Sequence, residues 1–262
     1  SGKSTTLYTL LQIIKSEAIN VVTLEDPVER KIEGVNQIQI NPGVGLTFAS
    51  GLRSVLRQDP DVVLVGEIRD QETATLAVQA ALTGHLVLST LHTNSAAGVL
   101  PRLLDMGIEP FLIASTVNTV IGQRLVRRVC KDYETYQSSP SQTKAISEKI
   151  GDLLPKTVAD VKKLAVDYGY DNLPLAGQNA YTLFRGKESD ECPNGYKGRM
   201  GIFEVFNMSD QMERLLTSRA TSGDIQTQAV KDGMITMQSD GMFKALVGLT
   251  TIDEVARVAS EE

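Results

Sequence analysis

The chain has 262 residues, a net charge of −6 at neutral pH, 42% hydrophobic and 5% aromatic residues, and no Trp. A chain of this length buries roughly three quarters of its unfolded surface, and its balance of apolar and charged residues excludes disorder as the main state. No run approaches the ~18 apolar residues of a membrane span, the acidic total gives no support to general nucleic-acid binding, and two Cys make no disulfide framework, which fits a reducing cytoplasm.

The chain opens with Ser1-Gly2-Lys3-Ser4-Thr5. From Thr5 to Ser16 the apolar residues Leu7, Leu10, Leu11 and Ile14 recur at helical spacing. Val21 to Leu24 is a β-branched strand that runs into the acids Glu25 and Asp26. Phe48 to Arg57 reads as a helix with Thr47 as its N-cap. Val62 to Val65 is a buried strand stopped by Gly66. Gln71 to Leu82 is a second helix, capped by Asp70 and ended by Gly84. Leu86 to Thr90 is a further strand. Helices are expected from about Ser95 to Met106, bent at Pro101, and from about Pro110 into Arg124. Short apolar strands separated by helices imply a parallel sheet covered on both faces. Ligands sit at the carboxyl ends of such strands. Here those ends carry Glu25, Gly66-Glu67 and Thr90-Leu91-His92.

After Cys130 the composition shifts to Ser, Pro, Gly, Asp and Lys, and strand signals are sparse up to residue 200. Thr143 to Tyr168 reads as two helices broken near Pro155, and Arg199 to Phe206 as a strand. The last stretch is helical, with Thr251 and Glu254 spaced as a capping box. The expected division is a core at 1–129, a loop subdomain at 130–199 and a helical region at 200–262.

Ser1-Gly2-Lys3-Ser4 matches the end of the phosphate-binding motif G-x-x-x-x-G-K-[ST]. In that motif backbone amides cradle phosphate, the Lys reaches the β- and γ-phosphates and the Ser hydroxyl binds Mg2+. A bare G-K-S also fits a surface turn; the following helix and the acid-ended strands favour a nucleotide. Glu67, expected beside the phosphate strand, can orient or deprotonate a water for attack on the γ-phosphate. Gly66 stands where such enzymes carry a metal-binding Asp, so the metal relies on Ser4, water and the acids Glu25, Asp26 and Glu29. Of the two histidines, His92 lies at the carboxyl end of its strand and can contact phosphate, whereas His85 at the other end is given a structural role.

Three strings follow in order: L-E-D-P-V-E at 24–29, L-R-Q-D-P-D-V-V-L-V-G-E-I-R-D at 56–70, and T-G-H-L-V-L-S-T-L-H-T-N at 83–94. They resemble the Asp box, Walker B and His box of the secretion ATPase superfamily, which drives type II secretion and type IV pilus assembly. G-Y-K-G-R-M-G-I-F-E-V at 195–205 and D-G-M-F-K-A-L-V-G-L-T-T-I-D-E-V at 240–255 extend the likeness. The resemblance implies an α/β, RecA-like P-loop NTPase core with a predominantly parallel sheet, an irregular loop subdomain and a small C-terminal helical region. It implies a homo-hexameric, ATP- and Mg2+-dependent motor, cytoplasmic and peripheral at the inner membrane. Such a motor acts through an inner-membrane platform protein and other pilus or secretion components, and no direct nucleic-acid partner is expected.

By position, Ser1, Gly2, Lys3, Ser4 and Thr5 would bind ATP, and Glu25, Asp26 and Glu29 would form the Asp box. Glu67, His92 and Glu29 would be catalytic. Ser4 would bind Mg2+ directly and Glu67 through water. Arg53, Arg57, Arg69 and Arg102 match family arginines that contact phosphate, bridge subunits or form salt bridges within the domain. Gly66 is the family's own pattern. The segment after the His-box helices favours the assembly and secretion branch, with pilus assembly preferred to type II secretion. That branch usually holds zinc with two C-x-x-C pairs. Here Tyr133 and Ser189 replace one Cys of each pair, leaving Cys130 and Cys192, so zinc is not expected. The family carries a strand, glycines and an N-terminal domain before this Ser; without them, residues 1–262 are expected to bind ATP poorly and not to turn over.

Overall fold

The computed structural model describes residues 1–259. In chain order the elements are α1 (Lys3–Ile14), β1 (Val21–Glu25), β2 (Asn36–Gln39), α2 (Phe48–Val55), β3 (Val62–Val65), α3 (Gln71–Leu82), β4 (Leu86–Ser89), α4 (Val99–Asp105) and α5 (Pro110–Thr116). There follow β5 (Thr119–Val129), β6 (Tyr133–Gln137), α6 (Pro140–Ile150), α7 (Val158–Tyr168), β7 (Thr182–Gly186) and β8 (Tyr196–Asn207). The chain closes with α8 (Asp210–Thr217), α9 (Ser222–Lys231), α10 (Met237–Leu246) and α11 (Ile252–Ala259).

Two compact units result, and they do not follow chain order. One holds residues 2–120 and 206–233; the other holds 121–205 and 234 onward. The first is built on a four-stranded parallel sheet in the order β2-β1-β3-β4. β1 and β3 are buried along their whole length because both faces are covered. On one face Tyr8 and Leu11 of α1 pack against Val21, Val62 and Leu64. α2 also packs on β1. Its Gly51 lies so close to Leu24 that an added Cβ would come within 2.8 Å of the leucine side chain. The sequence reading placed a phosphate-loop strand beside the Glu67 strand. Instead β3 is hydrogen-bonded on both edges, by β1 and β4, so its neighbours are the acid-ended strand and the histidine strand.

The second unit holds an antiparallel pair, β6 with β7, packed with α6 and α10. Its core gathers Ile146, Ile150, Tyr181, Leu183 and Phe243. Tyr133 opens β6 and meets Phe184 edge-on. Cys130 and Cys192 come together where this segment begins and ends: Cys130 N–H donates to Gly195 C=O, and Ser189 and Cys192 exchange backbone hydrogen bonds. The two are joined as a disulfide with Cα atoms 6.4 Å apart. The cysteines read as remnants are thus partners across this segment.

Four local expectations are corrected. The helix expected from Ser95 starts only at Val99, with Pro101 inside its first turn, where a missing N–H costs nothing. The helix expected to run into Arg124 stops at Thr116, and β5 begins at Thr119 in a segment containing Val120, Ile121, Val126 and Val129. The segment 131–200 contains β6 and β7. At Thr251 the hydroxyl does accept the Glu254 N–H, at 3.2 Å, but the Glu254 carboxylate turns to arginines instead of closing a box. Residues 260–262, the end of the expected C-terminal region, lie outside the described residues.

Candidate active site

α1 presents Lys3 and Ser4 in its first turn. Its N-cap is Gly2 in the left-handed conformation, φ 79°, which glycine adopts without steric cost. Amides at such a helix start have no intrahelical acceptor and face outward with the positive end of the dipole. Lys3 and Ser4 line a cleft shared with Tyr8, Glu25, Asp26, Glu29, Phe48, Glu67, Thr90 and His92. Ser1 and Thr5 are exposed.

The far wall is made by the ends of β3 and β4. Thr90 Oγ1 donates to Gly66 C=O at 2.7 Å, and Ile68 N–H donates to Thr90 C=O at 2.9 Å, tying the two ends together. A Cβ at Gly66 would lie 3.0 Å from the Leu24 carbonyl oxygen and 3.4 Å from Glu25 Cα. A side chain there would crowd the backbone of β1, which would have to yield by a few tenths of an ångström, and glycine avoids this. The first carboxylate is therefore one residue later. Glu67 bonds to His92 Nε2 at 3.0 Å and pairs with Arg69. Burial pushes its carboxyl pKa up, but the hydrogen bonds and charges of Arg69 and His92 outweigh burial and hold it below the ordinary range.

The near wall carries the other acids. Glu25 is buried and accepts from Tyr8 Oη, from Thr23 Oγ1 at 2.5 Å and from Gln37 Nε2 at 3.1 Å. Glu29 is exposed in the loop beyond β1 and accepts from Ser4 Oγ at 3.3 Å. Asp26 is exposed at the cleft edge. Ser4, Glu25, Asp26, Glu29, Glu67 and His92 thus meet at one opening. The arginines divide. Arg69 joins the cleft through Glu67, Arg53 pairs with Glu72, Arg57 donates to Arg53 C=O at 2.8 Å, and Arg102 is exposed on α4. His85 bonds through Nδ1 to Ala80 C=O at 2.8 Å, at the end of α3 and away from the cleft. Sequence reasoning missed Tyr8 and Gln37. Tyr8 falls in the helical apolar pattern, and Gln37 lies on a strand not foreseen.

The oxygen donors at this cleft suit a hard divalent cation held chiefly by nucleotide phosphates, since Mg2+ is usually bound by few protein groups together with substrate. Among the described residues no group of three or more His, Cys, Asp and Glu is placed to cage a metal by itself.

The parallel sheet, with a G-K-S helix start facing an acid and a histidine at neighbouring strand ends, defines an α/β core of the RecA-like P-loop class. It matches solved chains of that kind, including "Crystal Structure of the Pilus Retraction Motor PilT and Bound ADP" (TM-score 0.64, 24% identity, 98% of this chain and 58% of that one). The chain belongs to the Type II/IV secretion system protein family, whose sequence model matches residues 1–257. Among its relatives are a Type II secretion system protein E of Xanthomonas campestris (45% identity, 100% of this chain and 42% of the relative) and the Type IV pilus assembly ATPase PilB of Pseudomonas aeruginosa (41% identity, 100% and 42%). The chain spans less than half the length of these relatives. Among the described residues no helix is long and apolar enough to cross a membrane.

Proposed function

We propose that this chain carries the ATP-hydrolysing core of a secretion-family assembly motor. The observation that carries the reading is the meeting of Glu67 and His92 with Lys3 and Ser4 at one cleft. Lys3 and the free amides of α1 neutralise phosphate. Ser4 and the acids beside it face the position of Mg2+, which when bound neutralises phosphate charge. Glu67 accepts a proton from, or orients, the attacking water. His92 and Arg69 keep that carboxylate ionised and aimed. The partners follow from the same reading: a homo-hexamer, an inner-membrane platform protein and peripheral attachment at the cytoplasmic face.

Relatives named for type II secretion and for pilus assembly both cover the whole chain. Pilus assembly is the reading carried from sequence. Type II secretion is the second, with relatives at 42–45% identity against 41–42% for the pilus assembly ATPases. Deleting the gene and scoring surface pili against exported protein separates them. Turnover is tested in the natural full-length chain. Glu67→Gln is expected to lower phosphate release about 10²–10⁴-fold with nucleotide affinity within a few-fold; an unchanged rate removes Glu67 from the chemistry.

A further inference from the structure

Tyr8 stands one helical turn beyond Ser4 on α1, so both side chains belong to the face that lines the cleft. Its ring is buried with Leu11, Val21, Ile32, Val62 and Leu64, the ordinary work of an aromatic on an amphipathic helix. Its hydroxyl does something else. It donates to the Glu25 carboxylate and accepts the backbone N–H of Glu29 at 3.3 Å. The Glu29 carboxylate in turn accepts from Ser4 Oγ at 3.3 Å. The contacts close a circuit: from Ser4 along one turn of helix to Tyr8, across to the Glu29 backbone, and through the Glu29 side chain back to Ser4.

Glu25 anchors this circuit in the sheet. Besides Tyr8 it accepts from Thr23 and Gln37, on β1 and β2. Gln37 also holds the far half of the exposed loop, accepting Ile32 N–H at 2.6 Å and donating to Arg30 C=O at 3.0 Å. Tyr8 holds the near half, where Glu29 is. Burial first, then the hydrogen bond and charge of Glu25, raise the pKa of the Tyr8 hydroxyl, so it remains a donor at any physiological pH.

We propose that Tyr8 is a positioning residue: its hydroxyl fixes the Glu29 loop against the first turn of α1, so that the Ser4 hydroxyl and the Glu29 carboxylate are presented together to a phosphate-bound divalent cation. The proposal rests on the reading of the cleft as a Mg-nucleotide site.

The test is equilibrium binding of N-methylanthraniloyl-ADP to the natural full-length chain, with and without Mg2+. Wild type should bind more tightly with Mg2+. Tyr8→Phe keeps the ring and is expected to bind the Mg2+-free nucleotide within twofold of wild type, while the tightening by Mg2+ falls at least fivefold. Thr23→Val also removes a Glu25 donor but leaves the Tyr8–Glu29 contact, and should keep the tightening. Full tightening in Tyr8→Phe, or equal loss in Thr23→Val, overturns the role given to Tyr8 while leaving the nucleotide reading intact. Wild type that binds no nucleotide under either condition overturns both. Should Tyr8→Phe fail to fold, Glu29→Ala reaches the other end of the circuit from the solvent side. It is expected to lose the same tightening, and its retention overturns the proposal.

Discussion

Two buried glutamates, one in each compact unit, are built from the same materials and end up with different properties. Glu67 meets Arg69 and His92; Glu254 meets Arg127 and Arg257. The Glu254 side chain is wholly buried and satisfied on both oxygens. It accepts the Arg127 N–H at 2.9 Å, the Arg127 guanidinium at 2.7 Å and two bonds from Arg257 at 3.0 and 2.7 Å. Arg127 also lies over the Tyr196 ring, 4.2 Å from its centroid. Burial raises the Glu254 pKa, but the two arginines overcome it and hold the group down to about 2. Glu67 keeps 11% of its side chain exposed, and its partners Arg69 and His92 are 61% and 72% exposed, against 42% and 58% for Arg127 and Arg257. A carboxylate whose partners are fixed by backbone and packing serves the fold. One that lines an open cleft can exchange a partner for a ligand or a water.

That contrast can be broken by exchanging the substitutions. Glu254→Gln removes a wholly buried carboxylate that accepts from Arg127 and Arg257 and is expected to cost about 3 kcal/mol in urea unfolding, with nucleotide affinity of the folded protein unchanged. Glu67→Gln, expected to lower turnover, should cost no more than about 1 kcal/mol because its cations are more than half exposed. A Glu254→Gln protein as stable as wild type removes the contrast. Acid sharpens it. The Glu254 pKa is depressed on folding, so its contribution, roughly 3 kcal/mol, is complete above the ordinary carboxylate range. It is lost as pH falls toward about 2. The stability gap between wild type and Glu254→Gln should close over that window.

A smaller effect is expected at the cleft. Because Arg69 and His92 depress the Glu67 pKa, the carboxylate stays ionised as pH falls, and the acid limb of the turnover profile should lie below the ordinary carboxylate range. Arg69→Ala should move that limb upward; an unmoved limb means that His92 alone sets it. Smallest is Arg53→Ala. Arg53 and Glu72 are both more than half exposed, so breaking the pair should change stability by less than about 1 kcal/mol.

Much of the first unit was legible because its signals are local. Val62 to Val65 is too apolar for anything but a buried strand, and Asp70 and Gly84 bracket α3 by capping chemistry, with Asp70 accepting the Thr73 N–H at 2.8 Å. Glu67 and His92 could be placed at one opening because carboxyl ends of parallel strands converge. What stayed hidden depends on partners distant in sequence. The helix expected from about Pro110 into Arg124 overruns the start of β5, whose burial rests on distant partners: Val126 packs with Ile202 and Val258, which no local pattern announces. The Cys130–Cys192 pairing spans 62 residues and follows from the path of β6 and β7. Tyr8 carries no sequence signal of its own: its ring is core, and only its hydroxyl, meeting Glu25 and Glu29, has the second task.

Gly66 also limits how this protein can change over time. From a glycine codon that ends in a pyrimidine, a single nucleotide change gives the metal-binding Asp of other P-loop enzymes. Yet the first carbon of that side chain would lie 3.0 Å from the Leu24 carbonyl oxygen, with the backbone of β1 in its path. The mutation therefore asks the backbone of β1 to yield by a few tenths of an ångström. The acids within reach of the cleft without any strand moving are those of the loop after β1, where Asp26 and Glu29 are exposed.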